Sequence, residues 1–218
     1  MDFNFKTGSP EKQRSACLII AVSHPQKLSS AGHAVDKASD GFLSQIIRQG
    51  DMDGKAGQTL LLHNVSGTLA DRILLIGIGK ETDLNERSFS RVIASVQSAL
   101  ANSGATDAYS CLSEIAVGSH DIDWNIRHTV MKLGNGEYKF DQMKSIKAEK
   151  KKGLKKFTIH LSSRSAMKKA EIAISQGIAI TAGMDMARDL GNLPGNVCTP
   201  SYIAKQAKQL AKGNKQLK

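Results

Sequence analysis

The chain has 218 residues, 40% of them hydrophobic and 23% charged, with a formal net charge of +10. That length can bury a sizeable core in one or two domains, and with no run near 18 apolar residues a transmembrane helix is excluded. Cys17, Cys111 and Cys198 are far apart and form no CxxC pair, which argues against a disulfide framework and for a reducing cytoplasm. Met1 to Lys6 lacks the basic-then-apolar order of a secretory signal.

Phe3 and Phe5 alternate with polar residues, as in a short edge strand. Cys17 to Val22 is a continuous apolar run, the pattern of a buried strand, stopped by Ser23, His24 and Pro25. From Ala34 to Gln49 the spacing predicts one helix, with Val35, Ala38, Phe42, Ile46 and Ile47 on one face and Gly50 as its cap. Thr59–His63 and Ile73–Gly79 read as two further strands joined by a loop over 64–71. Asp83 or Asn85 opens a helix whose buried stripe is Phe89, Val92, Ile93, Val96 and Leu100, ending at Asn102–Gly104.

A strand is expected near Tyr109–Leu112. Trp124 to Phe140 follows as a helix that Gly134 and Gly136 could interrupt. Between Lys144 and Lys156 stand seven lysines against the single acid Glu149, read as a solvated loop or an anion surface. Phe157–Leu161 alternates as a strand. Ala166 to Leu190 is a long helix with Ala170, Ile174, Ile178, Ala182 and Met186 at helical spacing. A rigid crossing, Asn192-Leu193-Pro194-Gly195-Asn196, then leads to a new helix beginning at Thr199. A chain that starts a new element so near its end reads as the front part of something larger. The alternation of strands and helices argues an α/β sandwich, mostly parallel with one or two antiparallel edges.

No constellation in the chain has the signature of a catalytic or metal site. Gly77-Ile78-Gly79-Lys80 matches neither GxGxxG nor a Walker motif and reads as a turn at a strand end. The six histidines form no HExxH, and His63 and His160 fall in strand patterns. Asp51 and Asp53 lack further ligands around them, and Asp121 and Asp123 suit a helix N-terminus. Cys198 has no histidine beside it and reads as a structural thiol. No catalytic, metal or cofactor-binding residue is therefore assigned.

Four blocks carry a resemblance: Gly8 to Cys17, Gly57 to Leu62, Asp71 to Gly77, and Arg188 to Pro194 with the adjoining Gly195-Asn196. They resemble the amino-terminal domain of the bacterial leucyl aminopeptidase (cytosol aminopeptidase, aminopeptidase A) family, over essentially the whole chain. The resemblance implies a macro-domain-like α/β fold, a three-layer sandwich with a mixed, mostly parallel sheet followed by a long connecting helix. The expected division is 1–165 for that domain, 166–190 for the connecting helix and 191–218 for the start of a catalytic domain. It also implies a cytoplasmic parent that removes amino-terminal residues, leucine preferred, from peptides. Two divalent metals, manganese or zinc, would act there, one polarising the carbonyl while the bridging water becomes hydroxide. The family's Asn-Thr-Asp-Ala-Glu-Gly-Arg motif is absent, so no metal is expected in this chain, which is expected to be inactive alone. Its partners would be its own catalytic domain and the other subunits of a homohexamer, with no membrane. DNA is the alternative partner, since some members of the family bind it in recombination or transcription control and the charge of +10 is compatible. Binding of ADP-ribose, from the macro-like fold, is the weaker alternative.

Overall fold

The computed structural model describes residues 1–144 and 153–212. Its centre is a seven-stranded sheet in the order β1-β7-β6-β2-β5-β4, with β3 added beside β2. The strands are β1 (Asp2–Thr7), β2 (Leu18–Ser23), β3 (Lys27–Leu28), β4 (Thr59–His63), β5 (Arg72–Gly79), β6 (Asp107–Ser110) and β7 (Lys156–Leu161). From β1 to β5 all neighbours run parallel, whereas β4 and β3 pair antiparallel with β5 and β2. The expected mixed, mostly parallel sheet is therefore present, with β1 and β4 at its edges.

All six residues of β2 are buried, as a strand covered on both faces must be. Side chains alternate across the sheet, so β2 feeds two cores. Ile19 and Ala21 join one core and Leu18, Ile20 and Val22 the other. The first core is closed by α3 (Glu86–Ser103), α4 (Ile122–Glu137) and the start of α5 (Met167–Asn192). The second is closed by α1 (Ser30–Ala38) and α2 (Phe42–Arg48), through Val35, Leu43 and Ile47. This gives the three layers of helix, sheet and helix.

The single helix expected over 34–49 is two. Asp40 and Gly41 both adopt left-handed backbone, with φ of 53° and 81°, and break it. The Asp36 carboxylate then accepts from the Ser44 amide at 2.8 Å and tethers α2. Phe42, expected inside, is 39% exposed as a result. The strand expected near 109–112 begins two residues earlier, at Asp107. Gly134 and Gly136 do not interrupt α4, and the space a side chain would fill at each is occupied by Thr181 and Gln97 from the packed neighbours. Asn85 opens α3 with a capping box, accepting from the amides of Arg87 and Ser88.

The α5 helix is long, as expected, but its inward face differs. Ala170, Ala173, Ile174 and Gly177 are buried, whereas Ile178 is 48% exposed. The helix packs along α4 past its midpoint, with Thr181 against Gly134 and Met184 Sδ accepting from Asn135 Nδ2 at 3.8 Å, while Ile178 lies on an uncovered face. The turn after α5 leads into α6 (Pro200–Lys212), with Thr199 Oγ1 accepting from the Tyr202 amide at 3.3 Å. No described side chain of α6 is buried.

Gly77 lies within β5, not at a terminal turn, and the segment Gly54–Gln58 runs against it. The Gly77 amide donates to Gln58 O at 2.7 Å, and its carbonyl accepts from Gly57 at 2.8 Å. A Cβ at Gly77 would fall on the Lys55 carbonyl. Gly77→Ala is therefore expected to lower unfolding free energy by about 1–3 kcal/mol through forced displacement of that segment. Urea denaturation checks it; an unchanged midpoint contradicts the close packing.

Candidate functional site

In open α/β sheets the loops leaving neighbouring strands toward opposite faces leave a crevice at the carboxyl ends, where such folds take ligands. Here that point lies at β2. The chain leaves β2 toward α1 on one face, and leaves β5 and β6 toward α3 and α4 on the other. A crevice of about 260 Å³ opens there, floored by the strand-end residues Ala21, Ser23, Ile78 and Cys111.

One wall is the N-terminus of α1, where Ser29 and Ser30 line the opening. The Ser29 side chain accepts from the Gly32 amide, and its carbonyl from His33. The amides of Ser30 and Ala31 have no acceptor within the helix. Glu81, Glu114, Ile115 and Ala116 complete the lining. Glu81 accepts from Ser23 Oγ at 2.9 Å and pairs with Lys27 at 3.2 Å, which holds its carboxyl below the usual range.

Beneath Glu114 lies a buried polar cluster. His160 Nδ1 is 2.9 Å from the Tyr109 hydroxyl, and its Nε2 is 3.7 Å from Glu114 Oε1. Glu114 also accepts from the Ser162 amide, and Ser113 Oγ donates to the His160 carbonyl. These contacts pin the 113–117 loop to the end of β7. Burial lowers the His160 pKa, partly opposed by Glu114. Burial also raises the Tyr109 hydroxyl and the Cys111 thiol. A neutral imidazole carries a single ring proton, so of its two nitrogens, facing Tyr109 and Glu114, one is a donor and the other an acceptor.

A second constellation, also unexpected from sequence, lies on α3, on α4 and on the segment just before α4. His120, Trp124 and His128 stack face to face, at 4.0 and 4.4 Å between ring centroids. Glu86 receives His120 Nε2 at 2.8 Å, and Ser90 Oγ meets His128 Nε2 at 2.7 Å. The three rings stand four residues apart, but the two histidines alone are eight apart, which is no ligand spacing and gave no signal.

The residues weighed from sequence are not brought together. His63 is exposed at the sheet edge, on the far strand from His160. Asp53 pairs with Lys55 at 2.8 Å, beside the exposed Asp51. Asp121 caps α4 by accepting from the Trp124 amide. The Gly77–Gly79 stretch is covered by Gly54–Gln58. Cys198 is half-buried, whereas Cys17 is buried and its thiol is pushed up to about 12 by desolvation. Among the described residues, no three His, Cys, Asp or Glu side chains gather as a metal set. Of the lysine-rich segment only Lys144, Lys155 and Lys156 belong to the described residues; the rest of it, 145–152, lies outside them. Among the described residues no helix is long and apolar enough to cross a membrane.

The buried imidazole gives a signed prediction. The unfolded chain takes up a proton near the ordinary value of 6.5, whereas folded His160 resists it. Below that pH the unfolded state binds more protons, so stability falls as pH falls. His128, half-buried beside Lys132, is lowered in the same sense. Chemical denaturation between pH 7 and 5.5 should show this loss, bounded for one group at ~1.4 kcal/mol per pH unit. His160→Gln should flatten the slope without removing it; an unchanged slope contradicts the assignment.

The conserved sequence pattern described as "Cytosol aminopeptidase family, N-terminal domain" matches residues 19–147. A probable cytosol aminopeptidase of Dechloromonas aromatica is 48% identical over 97% of this chain and 42% of its own length. That of Tolumonas auensis is 44% identical over the same shares. The chain thus spans about two fifths of the curated relatives it matches. Among solved structures, a mutant tomato leucine aminopeptidase superposes over 98% of this chain with a TM-score of 0.72 at 20% identity, covering 42% of that chain. The bottromycin maturation enzyme BotP superposes over 91% of this chain and 37% of its own with a TM-score of 0.64 at 16% identity. Those two likenesses concern the fold. With the sequence pattern covering more than half of its length, the chain belongs to the cytosol aminopeptidase family and is that family's N-terminal domain.

Proposed function

We propose that this chain is the non-catalytic, assembly part of a cytoplasmic leucyl aminopeptidase that removes amino-terminal residues from peptides with two manganese or zinc ions. The metals would be held by the part of the parent outside this chain. The division proposed is residues 1–165 as the amino-terminal domain, 166–190 as the connecting helix and 191–218 as the start of the catalytic domain.

The observation that carries the reading is the apolar surface beyond Gly177. Ile178 and Ile180 are 48% and 41% exposed on α5, and Ile203 and Leu210 are 48% and 55% exposed on α6. Ile203 and Leu210, seven residues apart, lie on one helix face. Among the described residues nothing covers that face. An exposed stripe of this kind marks a surface that packs on something else, and the relatives are more than twice as long as this chain. Three unpaired cysteines suit a reducing compartment.

Two measurements test it. The pure chain with Mn²⁺ or Zn²⁺ should leave a leucyl chromogenic substrate untouched; turnover by the chain alone overturns the reading. Ile203→Asp with Leu210→Asp should change the stability of this chain by no more than about 0.5 kcal/mol, because neither side chain is buried here. In the full-length parent the same pair should abolish assembly and activity. A parent indifferent to both charges contradicts the packing role of α6.

A further inference from the structure

We infer that the crevice at the carboxyl ends of β2, β5 and β6 is a binding site for a free α-amino acid with an aliphatic side chain. The inference rests on the chemistry of the crevice and not on the peptidase reading.

Size sets the first limit. At about 260 Å³ the crevice falls below the roughly 300–1,000 Å³ that holds drug-sized ligands. A dinucleotide-sized molecule such as ADP-ribose exceeds it, whereas an amino acid does not.

Charge sets the second. On one side the first amides of α1 and the hydroxyls of Ser29 and Ser30 offer donors at the positive end of a nine-residue helix. That wall suits a carboxylate. The loop after β6 brings in the carboxylate of Glu114, and that of Glu81 lies beside β2 and β3. Glu81 is already engaged by Lys27 and Ser23. Glu114 uses Oε1 toward Ser162 and His160, which leaves Oε2 as the acceptor for an ammonium group. A polyphosphate would meet two negative side chains here, and among the described residues no lysine or arginine lines the crevice. A molecule carrying one group of each sign satisfies both walls.

Apolar surface sets the third. Ile115 and Ala116 on the loop, with the edge of Ile78 on the floor, give an aliphatic side chain its cover. The loop is fixed in place, because Glu114, Ser113 and Asn125 tie it to β7 and α4. Asn125 Nδ2 donates to the carbonyls of Ser113 and Ile115 at 3.1 and 2.6 Å. A preformed wall of this kind spares the ligand the cost of ordering it.

Calorimetric titration of the chain with L-leucine, leucinamide, 4-methylpentanoate and ADP-ribose tests the inference. L-Leucine should bind saturably. Leucinamide lacks the carboxylate and 4-methylpentanoate lacks the ammonium, and each should bind at least about tenfold more weakly. ADP-ribose should not bind. Glu114→Gln keeps an acceptor for the Ser162 amide and should weaken L-leucine about tenfold or more. Ala116→Phe fills the crevice from an exposed loop position and should abolish binding at an unchanged unfolding midpoint. No saturable binding of L-leucine up to ~10 mM, where affinity is negligible, would overturn the inference. So would equal binding of the two analogues, tighter binding of ADP-ribose, or full retention of binding by Ala116→Phe.

Discussion

The burial of β2 on both faces is the constraint on which the rest of the fold depends. Six consecutive residues are buried, and the first five alternate between two cores. A strand so placed needs paired neighbours for its backbone and helices on each side for its side chains. β5 and β6 supply the first, α1 with α2 and α3 with α4 the second. The connections that reach those helices part at the end of β2, and the parting is the crevice. The site is thus a by-product of covering one strand completely.

Much of the fold was legible in the sequence because it obeys simple periods. The run Cys17–Val22, the stripe from Phe89 to Leu100 and the alternation of Phe157–Leu161 each state their own environment. The failures were local. Ser39-Asp40-Gly41 breaks a helix that hydrophobic spacing alone would carry to Gln49, and the triplet was a turn signal outweighed by periodicity. Ile178 keeps the spacing of Ala170 and Ile174 yet is exposed, because spacing reports which residues share a face and not whether anything covers it.

The candidate site was not legible in the same way. Its walls come from β2, the start of α1, the end of β5 with the turn after it, and the loop after β6. No two of these segments share a motif, and Ser29, Glu81 and Glu114 are unremarkable in isolation. His160 was readable as a packed strand residue, but its contacts with Tyr109 and Glu114 arise from the β6–β7 pairing, which sequence does not specify. Family membership supplies the fold and the company this domain keeps, whereas the crevice is a property of these particular side chains.

The ring stack on α4 has a practical meaning. Trp124 is the chain's single tryptophan, and both of its faces are covered by imidazoles, His120 and His128. Imidazole quenches an excited indole by electron transfer, and imidazolium does so more strongly. Intrinsic fluorescence of this domain is therefore a gauge of two neighbouring ring nitrogens before it is a gauge of folding. A dim native emission that brightens when the stack parts follows from that arrangement, so optical traces of this chain record the state of the entry to α4 and its first turns.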